Sequence, residues 1–412
     1  MTGRFSESGL LALLAMLGRD GEQAYIVGGA VRNALMGLAI DDIDIATSNM
    51  PQAVIEKVTN AGLRVIPTGL AHGTVTVIID DRPYEVTTFR EDVETDGRHA
   101  LVRFGHDMKR DAERRDFTIN ALYMDSAGFI HDPVGGLSDI EDGRVRFIGD
   151  PATRIREDYL RSLRFFRFTA HYAKGEIDET ALTAIENERE GLSALSRERI
   201  RQEIFKLIDG PRALYVLRTM ARRNLIDPFF GVPLDIEGLW HMLERDPGAD
   251  RLLRLAALSV HKKDDVQILR EGLRLTNAET ERLDKLASVL IELSALPRPL
   301  KPRDIRALAF RYTRRITTDA LIIDAGRRNI AIDRSLWEAA GSAPSASPFT
   351  GAMIIKRGIP AGPIIGEIIR YVENNWAAND FTTNPERIAE LISDAVGRYS
   401  GQATSDTRPP SL

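Results

Sequence analysis

Two aspartates at alternate positions are the first residues of this chain that could do chemistry. Asp42 and Asp44 are separated by Ile43, and side chains alternate between the faces of a β-strand, so both carboxylates would point the same way. Two such carboxylates repel each other unless a cation lies between them. Hard oxygen ligands suit Mg²⁺, which commonly binds one or two carboxylates together with substrate phosphates. The pair therefore predicts a Mg²⁺ site, although taken alone the same spacing also fits a solvated strand end.

A glycine pair upstream supplies the second chemical feature. Gly28 and Gly29 follow an apolar strand at residues 25–27 and precede a helical segment at residues 30–36. Without Cβ atoms the backbone can approach a polyphosphate closely, and a following helix offers free N–H groups and the positive end of its dipole. Arg32, one turn into the helix, would add a fork-shaped phosphate donor. The order strand, turn, helix and metal strand predicts a metal-assisted polyphosphate site.

This stretch resembles the signature of the class II nucleotidyltransferases, the family of tRNA nucleotidyltransferases (CCA-adding enzymes) and bacterial poly(A) polymerases. In that family a Gly-Gly-x-x-Arg-Asp turn precedes an Asp-x-Asp metal site. Here the turn reads Gly-Gly-Ala-Val-Arg-Asn over residues 28–33. Asn33 stands where the family usually has aspartate, which removes a charge near the phosphates and leaves the metal carboxylates intact.

A second segment, Arg-Arg-Asp-Phe-Thr-Ile-Asn-Ala-Leu at residues 114–122, resembles another motif of the same family. Its apolar residues would anchor it in the core, while Arg115 and Asp116 remain available to the site; the anchors are Phe117, Ile119 and Leu122. The resemblance implies that Arg115 contacts the nucleotide.

The residues between these motifs predict the remainder of a small sheet. Segments rich in Val, Ile and Thr at residues 65–66, 73–79 and 84–89 predict strands. In the last of them Glu85 would either add a third carboxylate to the metal site or lie on the solvent face. Residues 90–114 are charged and weakly periodic, which predicts a mobile loop over the site. Residues 96–99 are similar to a flexible loop that helps the family's active site change nucleotide.

A helical segment at residues 157–168 carries the residues that could choose a base. Asp158 and Arg161 would be neighbours on the helix surface, and Arg164 and Arg167 extend the row. Cytosine and adenine both present an amino donor beside a ring-nitrogen acceptor, which a carboxylate beside a guanidinium complements. The alternative is a helix salt bridge of about 0.2–0.5 kcal/mol. The family's Glu-Asp-x-x-Arg motif is used for base recognition, and the resemblance places Arg164 and Arg167 near the phosphates.

Later segments resemble the family more loosely. The helix at residues 196–204 is similar to its last motif, and we expect Arg199 and Glu203, four residues apart, to form a stabilising ion pair. A glycine-rich turn at residues 358–366 could present backbone N–H groups to an RNA phosphate, or simply connect two helices. Similarity to the family's tail, which clamps tRNA, favours RNA.

The composition limits the class of protein. The 412 residues include 55 basic and 60 acidic side chains, a formal charge of −5, so any RNA-binding surface must be a local basic patch. There are no cysteines, which excludes thiolate metal sites and fits a reducing compartment. No apolar run approaches the roughly 20 residues that span a membrane. We interpret residues 10–17 as an amphipathic helix and expect a cytoplasmic protein with no evident protein partner.

The sequence therefore predicts an α+β nucleotidyltransferase head, a small mixed β-sheet with helices, followed by an elongated all-α C-terminal region. The expected divisions are a catalytic head at 1–149, a helical neck for base recognition at 150–210, a helical body at 211–340, a tRNA-binding tail at 341–400 and a disordered tail at 401–412.

The resemblance implies Mg²⁺-dependent, template-independent addition of C, C and A to the 3′ end of tRNA from CTP and ATP. Asp42 and Asp44 would hold the metal; Gly28, Gly29, Arg32, Arg115, Arg164 and Arg167 would hold the triphosphate; Asp158 and Arg161 would choose the base. The alternatives are a poly(A) polymerase of the same family and a catalytically inactive RNA-binding relative. Poly(A) polymerases of the family carry a Gly-Arg-Arg-Phe run upstream of the second motif, whereas residues 67–75 here contain no arginine, which favours CCA addition.

Overall fold

The computed structural model describes residues 3–95 and 100–403, and the chain divides into two units, Met1–Phe229 and Phe230–Leu412. The first unit begins with β-strands and the helices that pack around them. In chain order these elements are α1 (Ser8–Leu17), β1 (Ala24–Val27), α2 (Gly29–Leu35), β2 (Asp44–Thr47), α3 (Pro51–Asn60), β3 (Arg64–Gly69), β4 (Thr74–Ile79), β5 (Arg82–Thr88), β6 (Arg90–Thr95), β7 (Ala100–Phe104), α4 (Met108–Glu113), β8 (Tyr123–Met124), β9 (Ile130–His131) and α5 (Gly136–Glu141).

A mixed sheet carries the first motif. In the described part of the chain it has seven strands in the order β3-β4-β5-β2-β1-β8-β9, while β6 and β7 pair as a separate antiparallel hairpin. Strand β2 runs parallel to β5 and antiparallel to β1, so Asp44 lies beside Glu85 on one side and Val27 on the other. Ile43 and Ile45 are buried, with 3% and 0% of their surface exposed. Asp44 therefore faces away from the core, as strand alternation requires.

The chain after residue 150 is helical. The remaining helices are α6 (Pro151–Glu157), α7 (Leu160–Tyr172), α8 (Glu179–Asn187), α9 (Arg197–Asp209), α10 (Ala213–Arg222), α11 (Asp227–Phe230), α12 (Ile236–Arg245), α13 (Arg251–Ser259), α14 (Lys263–Leu273), α15 (Asn277–Ala295), α16 (Pro302–Tyr312), α17 (Arg314–Arg328), α18 (Arg334–Gly341), α19 (Gly351–Ile355), α20 (Ile364–Ala378) and α21 (Pro385–Ala403). Within residues 3–95 and 100–403, no helix has the length and apolar character needed to cross a membrane.

An aromatic cluster joins the second motif to α7. The ring of Phe117 lies 5.0 Å from those of Phe147 and Phe168, and Phe147 stacks on Phe165 at 5.6 Å. The predicted anchors Phe117, Ile119 and Leu122 are all buried. Because Phe165 and Phe168 belong to α7, this packing places that helix and its arginines against the motif at residues 114–122.

The predicted fold class, an α+β head followed by an all-α region, is confirmed. Two local predictions are wrong. Asp42 does not belong to the metal strand, because β2 begins at Asp44. The loop expected at residues 90–114 is wrong for the described part of this segment: residues 90–95 pair with residues 100–104 in the β6–β7 hairpin, and α4 follows, with its N-terminus capped by Asp107 accepting from Lys109 N at 2.8 Å.

Two further predictions are not decided by the fold. The expected flexible loop at residues 96–99 lies outside the described residues. The divisions at residues 149, 210, 340 and 400 stay predictions. Helix α21 extends to Ala403, three residues into the segment expected to be disordered, and residues 404–412 lie outside the description.

Candidate active site

A cleft of about 480 Å³ lies within the first unit, where the sheet meets α7. Eight of the ten site residues predicted from the sequence line it: Gly28, Gly29, Arg32, Asp44, Arg115, Asp158, Arg161 and Arg164. The other lining residues are Arg114, Asp116, Asn120 and Phe168. The cleft therefore brings together a carboxylate at the start of β2, the glycine turn, several guanidiniums and the pair expected to read a base.

Asp44 forms the acidic end of the cleft. Burial, and then the negative charge of Glu85 on the neighbouring strand, raise the pKa of Asp44; Asp42 adds to this, and Arg115 opposes it. Crowded negative charge of this kind is relieved by a bound cation. Over residues 3–95 and 100–403, no three metal-ligating side chains converge into a preformed site. A cation here would therefore take some ligands from the substrate, as Mg²⁺ does at phosphate sites.

The glycine turn leaves backbone open to the cleft. Gly28 has φ 72° and ψ −127°, a conformation that residues with a side chain rarely adopt. A Cβ atom built there would lie 3.5 Å from Nη1 of Arg115, in ordinary van der Waals contact, so the backbone conformation rather than lack of space requires glycine. Gly28 N donates to Leu122 O at 3.2 Å, which ties the turn to the second motif. The turn and Arg115 therefore form one continuous wall.

Arg32 is held in the cleft wall by neutral groups. Only 5% of its surface is exposed. Its Nη2 donates to Asn33 Oδ1 and to the Tyr172 hydroxyl, both at 2.8 Å, its Nη1 donates to Asn120 Oδ1, and its Cζ lies 3.8 Å from the centre of the Tyr172 ring. Burial lowers the pKa of Arg32 to about 10, which leaves the guanidinium charged at neutral pH. Asn33, where the family has aspartate, thus still fixes Arg32 but does not neutralise it.

Two carboxylates, the buried Asp111 and the half-buried Asp116, hold Arg115 and Arg164. Asp111 Oδ2 accepts from Arg115 Nε at 3.3 Å and from Nη2 at 3.1 Å. Asp116 Oδ2 accepts from Arg164 Nε at 2.7 Å, and its Oδ1 accepts from Asn120 Nδ2 at 3.0 Å. Burial alone would raise the pKa of Asp116, but the Arg164 charge and the hydrogen bonds from Asn120 and Arg164 hold it below its usual range. The orientation of both guanidiniums is therefore set before a ligand binds.

The pair expected to read the base is not arranged as the helical spacing predicts. Asp158 has φ −155° and ψ 105°, an extended conformation that separates α6 from α7, so it does not share a helix with Arg161. Asp158 Oδ2 accepts from Arg199 Nη2 at 2.6 Å, while Arg161 Nη1 donates to Arg154 O at 2.9 Å and to Glu157. The alternative, a salt bridge between Asp158 and Arg161 on one helix face, is wrong. Asp158 lines the cleft from the break between α6 and α7, and Arg161 lines it from the first turn of α7.

Two charged side chains of helix α9 bind residues of this region and do not pair with each other. The expected Arg199–Glu203 pair is wrong, because Arg199 binds Asp158 and Glu203 accepts from Arg167 Nε. Arg167 Cζ also lies 4.1 Å from the centre of the Phe168 ring. Arg167, like Asp42, is not among the residues that line the cleft. Its positive charge nevertheless acts on the site. Burial has the largest effect on the pKa of Arg32 and lowers it, Tyr172 raises it, and the charge of Arg167 lowers it again.

Sequence reasoning missed three residues that shape the cleft. Asn120 links Arg32 to Asp116, and it lies within the second motif, so the motif itself held the signal. Tyr172 contacts Arg32 across 140 positions of the chain. Asp111 lies four residues before Arg115, one helical turn away, within a segment interpreted as a loop. The i,i+4 spacing of Asp111 and Arg115 would have indicated their pairing had the segment been predicted as a helix, whereas no local signal links Tyr172 to Arg32.

Comparison with known proteins places this architecture among nucleotidyltransferases. Residues 24–146 match the family described as "Poly A polymerase head domain", and residues 176–234 match "Probable RNA and SrmB- binding site of polymerase A". The chain is 31% identical over 396 residues to the mouse (Mus musculus) protein "CCA tRNA nucleotidyltransferase 1, mitochondrial", which covers 93% of this chain and 89% of the relative. It is 34% identical over 298 residues to the "CCA-adding enzyme" of Geobacillus kaustophilus, covering 70% and 71%.

A solved structure agrees with these relatives. The Bacillus stearothermophilus CCA-adding enzyme in complex with CTP superposes with a TM-score of 0.75 at 27% identity, over 97% of this chain and 100% of that one. Fold and cleft together define a nucleotidyltransferase of class II. The chain belongs to the CCA-adding enzyme (CCA tRNA nucleotidyltransferase) family, over nearly its whole length.

Proposed function

We propose that this protein adds C, C and A to the 3′ end of tRNA from CTP and ATP, with Mg²⁺ and without a nucleic-acid template. The observation that carries the proposal is the cleft itself. It places the Asp44 carboxylate, the guanidiniums of Arg32, Arg115 and Arg164, and the Asp158–Arg161 pair around one space. A metal ligand, triphosphate donors and a hydrogen-bonding edge for a base are the three parts that such a transfer needs.

The acidic end of the cleft is the proposed metal site. Asp42 and Asp44 would hold Mg²⁺, and Glu85, the register partner of Asp44, is placed to assist. The raised pKa of Asp44, caused by burial, Glu85 and Asp42 against the opposing charge of Arg115, fits a group that a cation stabilises. Bound there, the ion would supply charge stabilisation to the attacking 3′ oxygen and to the departing pyrophosphate.

The glycine turn and the arginines are the proposed triphosphate site. Backbone at Gly28 and Gly29 allows close approach of phosphate oxygens, and Arg32, Arg115 and Arg164 supply fork-shaped donors. Arg32 suits this task because its hydrogen bonds within the described chain go to neutral groups, so its charge is not offset by a carboxylate partner. Arg167 would act from behind the wall by adding positive potential.

Asp158 and Arg161 are the proposed readers of the base. In the free protein Arg199 and Glu157 occupy part of their hydrogen-bonding capacity. An incoming base with an amino donor and a ring-nitrogen acceptor would compete for the same atoms, whereas uracil and guanine present another pattern.

The absence of cysteine from all 412 residues fits a protein that works in a reducing compartment, and we propose a cytoplasmic location on that ground.

Removal of divalent metal tests this proposal. The assay supplies a tRNA that lacks its last three nucleotides, with CTP and ATP, and follows extension on a sequencing gel. We expect extension with Mg²⁺, none in excess chelator, and recovery when Mg²⁺ is restored. Undiminished extension in chelator would contradict the metal site. No extension under any metal condition, with tRNA binding retained, would instead favour the inactive RNA-binding relative.

A further inference from the structure

Asp111 is a buried carboxylate that has no role in the reaction proposed above. It lies on α4 with 1% of its surface exposed, and its two oxygens serve different arginines of the cleft. Oδ1 accepts from Arg114 Nε at 2.9 Å and lies 2.8 Å from Arg114 Nη2. Oδ2 accepts from Arg115 Nε and Nη2 at 3.3 and 3.1 Å. One side chain therefore orients two guanidiniums that line the same cleft.

The remaining acceptor capacity of Asp111 is also taken up. The Tyr123 hydroxyl donates to Oδ2 at 2.7 Å, and Arg90 N, at the first residue of β6, donates to Oδ1 at 3.3 Å. Tyr123 is itself buried and accepts from Arg115 Nε at 3.2 Å. Burial alone would raise the pKa of Asp111, yet the charges of Arg115 and Arg114 hold it below its usual range. The carboxylate is thus charged, enclosed and fixed from several directions.

Fixing an arginine before its ligand arrives has a direct effect on binding. A free arginine side chain loses rotamer entropy when it clamps a phosphate, and preorganisation removes most of that cost from the binding step. Asp111 itself faces no ligand: it lies behind the guanidiniums and is not among the residues that line the cleft. Any influence it has on the reaction must therefore pass through Arg114 and Arg115.

We propose that Asp111 is a positioning residue for the nucleotide, which holds Arg114 and Arg115 in the geometry that receives the triphosphate. Arg114 thereby joins the triphosphate site. Because Asp111 also binds the backbone of Arg90, it ties the first residue of the β6–β7 hairpin to the same two arginines. The inference rests on the proposed function, namely that this cleft binds a nucleoside triphosphate.

Charge and positioning predict opposite results when Asp111 is neutralised. Asparagine has nearly the same shape but replaces one carboxylate oxygen with an NH2 donor, so it can still accept from one of the two arginines and presents a repelling donor to the other. If Asp111 acted only by its charge, removing a negative group near a triphosphate would tighten nucleotide binding. If it positions the arginines, binding weakens although the site becomes more positive. The sign of the change in affinity therefore separates the two accounts.

The experiment measures equilibrium binding of CTP and of ATP to the full-length protein without tRNA, for wild type, Asp111→Asn and Glu113→Gln. Glu113 is the matched control: it lies on α4 two residues away, its side chain is 52% exposed, and it pairs only loosely with Lys109 at 3.9 Å. Its change removes the same charge. We expect Kd for both nucleotides to rise about tenfold in Asp111→Asn and to stay within about twofold of wild type in Glu113→Gln.

Steady-state kinetics distinguish positioning from general loss of structure. We expect Asp111→Asn to raise KM for CTP and ATP alike while the preference for CTP and ATP over UTP and GTP is kept, since Asp158 and Arg161 are untouched. Unchanged or tighter binding in Asp111→Asn would overturn the inference. If that variant does not fold, Asp111→Glu decides: it keeps the charge but displaces the carboxylate, so weaker binding supports positioning and wild-type affinity contradicts it. Failure of the wild-type protein to bind CTP would instead contradict the proposed function.

Discussion

Replacing Asp44 with alanine should reduce nucleotide transfer by roughly a thousandfold or more without destabilising the protein. The loss follows because a metal ligand supplies several kcal/mol of transition-state stabilisation, and each 1.36 kcal/mol is tenfold in rate. The fold should persist because the side chain faces the cleft, and because burial, Glu85 and Asp42 raise the pKa of Asp44, which means that its neighbours disfavour its charge. Removing it should therefore leave the melting temperature unchanged or slightly higher.

The matched control is Asp41→Ala, an exposed aspartate three residues away, which should transfer nucleotides at close to the wild-type rate. Asp42→Ala should resemble Asp44→Ala, and the double variant should be little worse than either, since residues that act as a unit are not additive. The assay is single-turnover extension with saturating Mg²⁺. Near-normal transfer by Asp44→Ala would remove the metal site from this account.

Replacing Arg161 with alanine should damage base choice more than triphosphate binding. It removes a charged donor from the proposed reading edge, and a hydrogen bond to a charged group is worth about 1.5–3 kcal/mol, or roughly 10- to 100-fold in discrimination. The variant should fold, because Glu157 loses its contact with Arg161 but still binds Arg154. The measurement compares kcat/KM for CTP and ATP with that for UTP and GTP.

Two other arginines provide the comparison. Arg156→Ala, on α6 with an exposed side chain paired to Glu188, should leave both discrimination and KM unchanged. Arg164→Lys should raise KM for every nucleotide alike, because lysine lacks the planar fork but keeps a positive charge opposite Asp116. Wild-type fidelity in Arg161→Ala would mean that Arg161 serves only to bind Glu157 and the backbone of α6.

The local sequence was sufficient to predict the role of a residue where one strong physical reason accounts for the residue type at that position. Gly28 was recognisable because it lacks a Cβ atom, and its positive φ also needs such a residue. Phe117 was recognisable as an aromatic anchor in a charged segment. Alternation also placed Asp44 opposite the buried Ile43 and Ile45, even though the strand is shorter than predicted.

Side-chain contacts between elements far apart in the sequence could not be predicted, for a physical reason. A charged side chain reveals its sign but not the residue that will face it, so Arg199 with Asp158 and Tyr172 with Arg32 required the fold. The break between α6 and α7 was missed because no glycine or proline marks it: residues 152–173 contain neither, and the helical spacing continues across Asp158. Residues 90–95 pair with residues 100–104 although the charge density of this segment suggested a loop.

The length and sequence of the added end distinguish CCA addition from polyadenylation. A tRNA lacking its last three nucleotides is incubated with all four nucleoside triphosphates and Mg²⁺, and the product ends are sequenced; a tRNA already ending in C-C receives ATP alone. We expect ends of C, C and A on the first substrate and a single added A on the second, with no further growth. Long adenosine tails on either tRNA, or on an unstructured RNA, would contradict this expectation and identify a poly(A) polymerase.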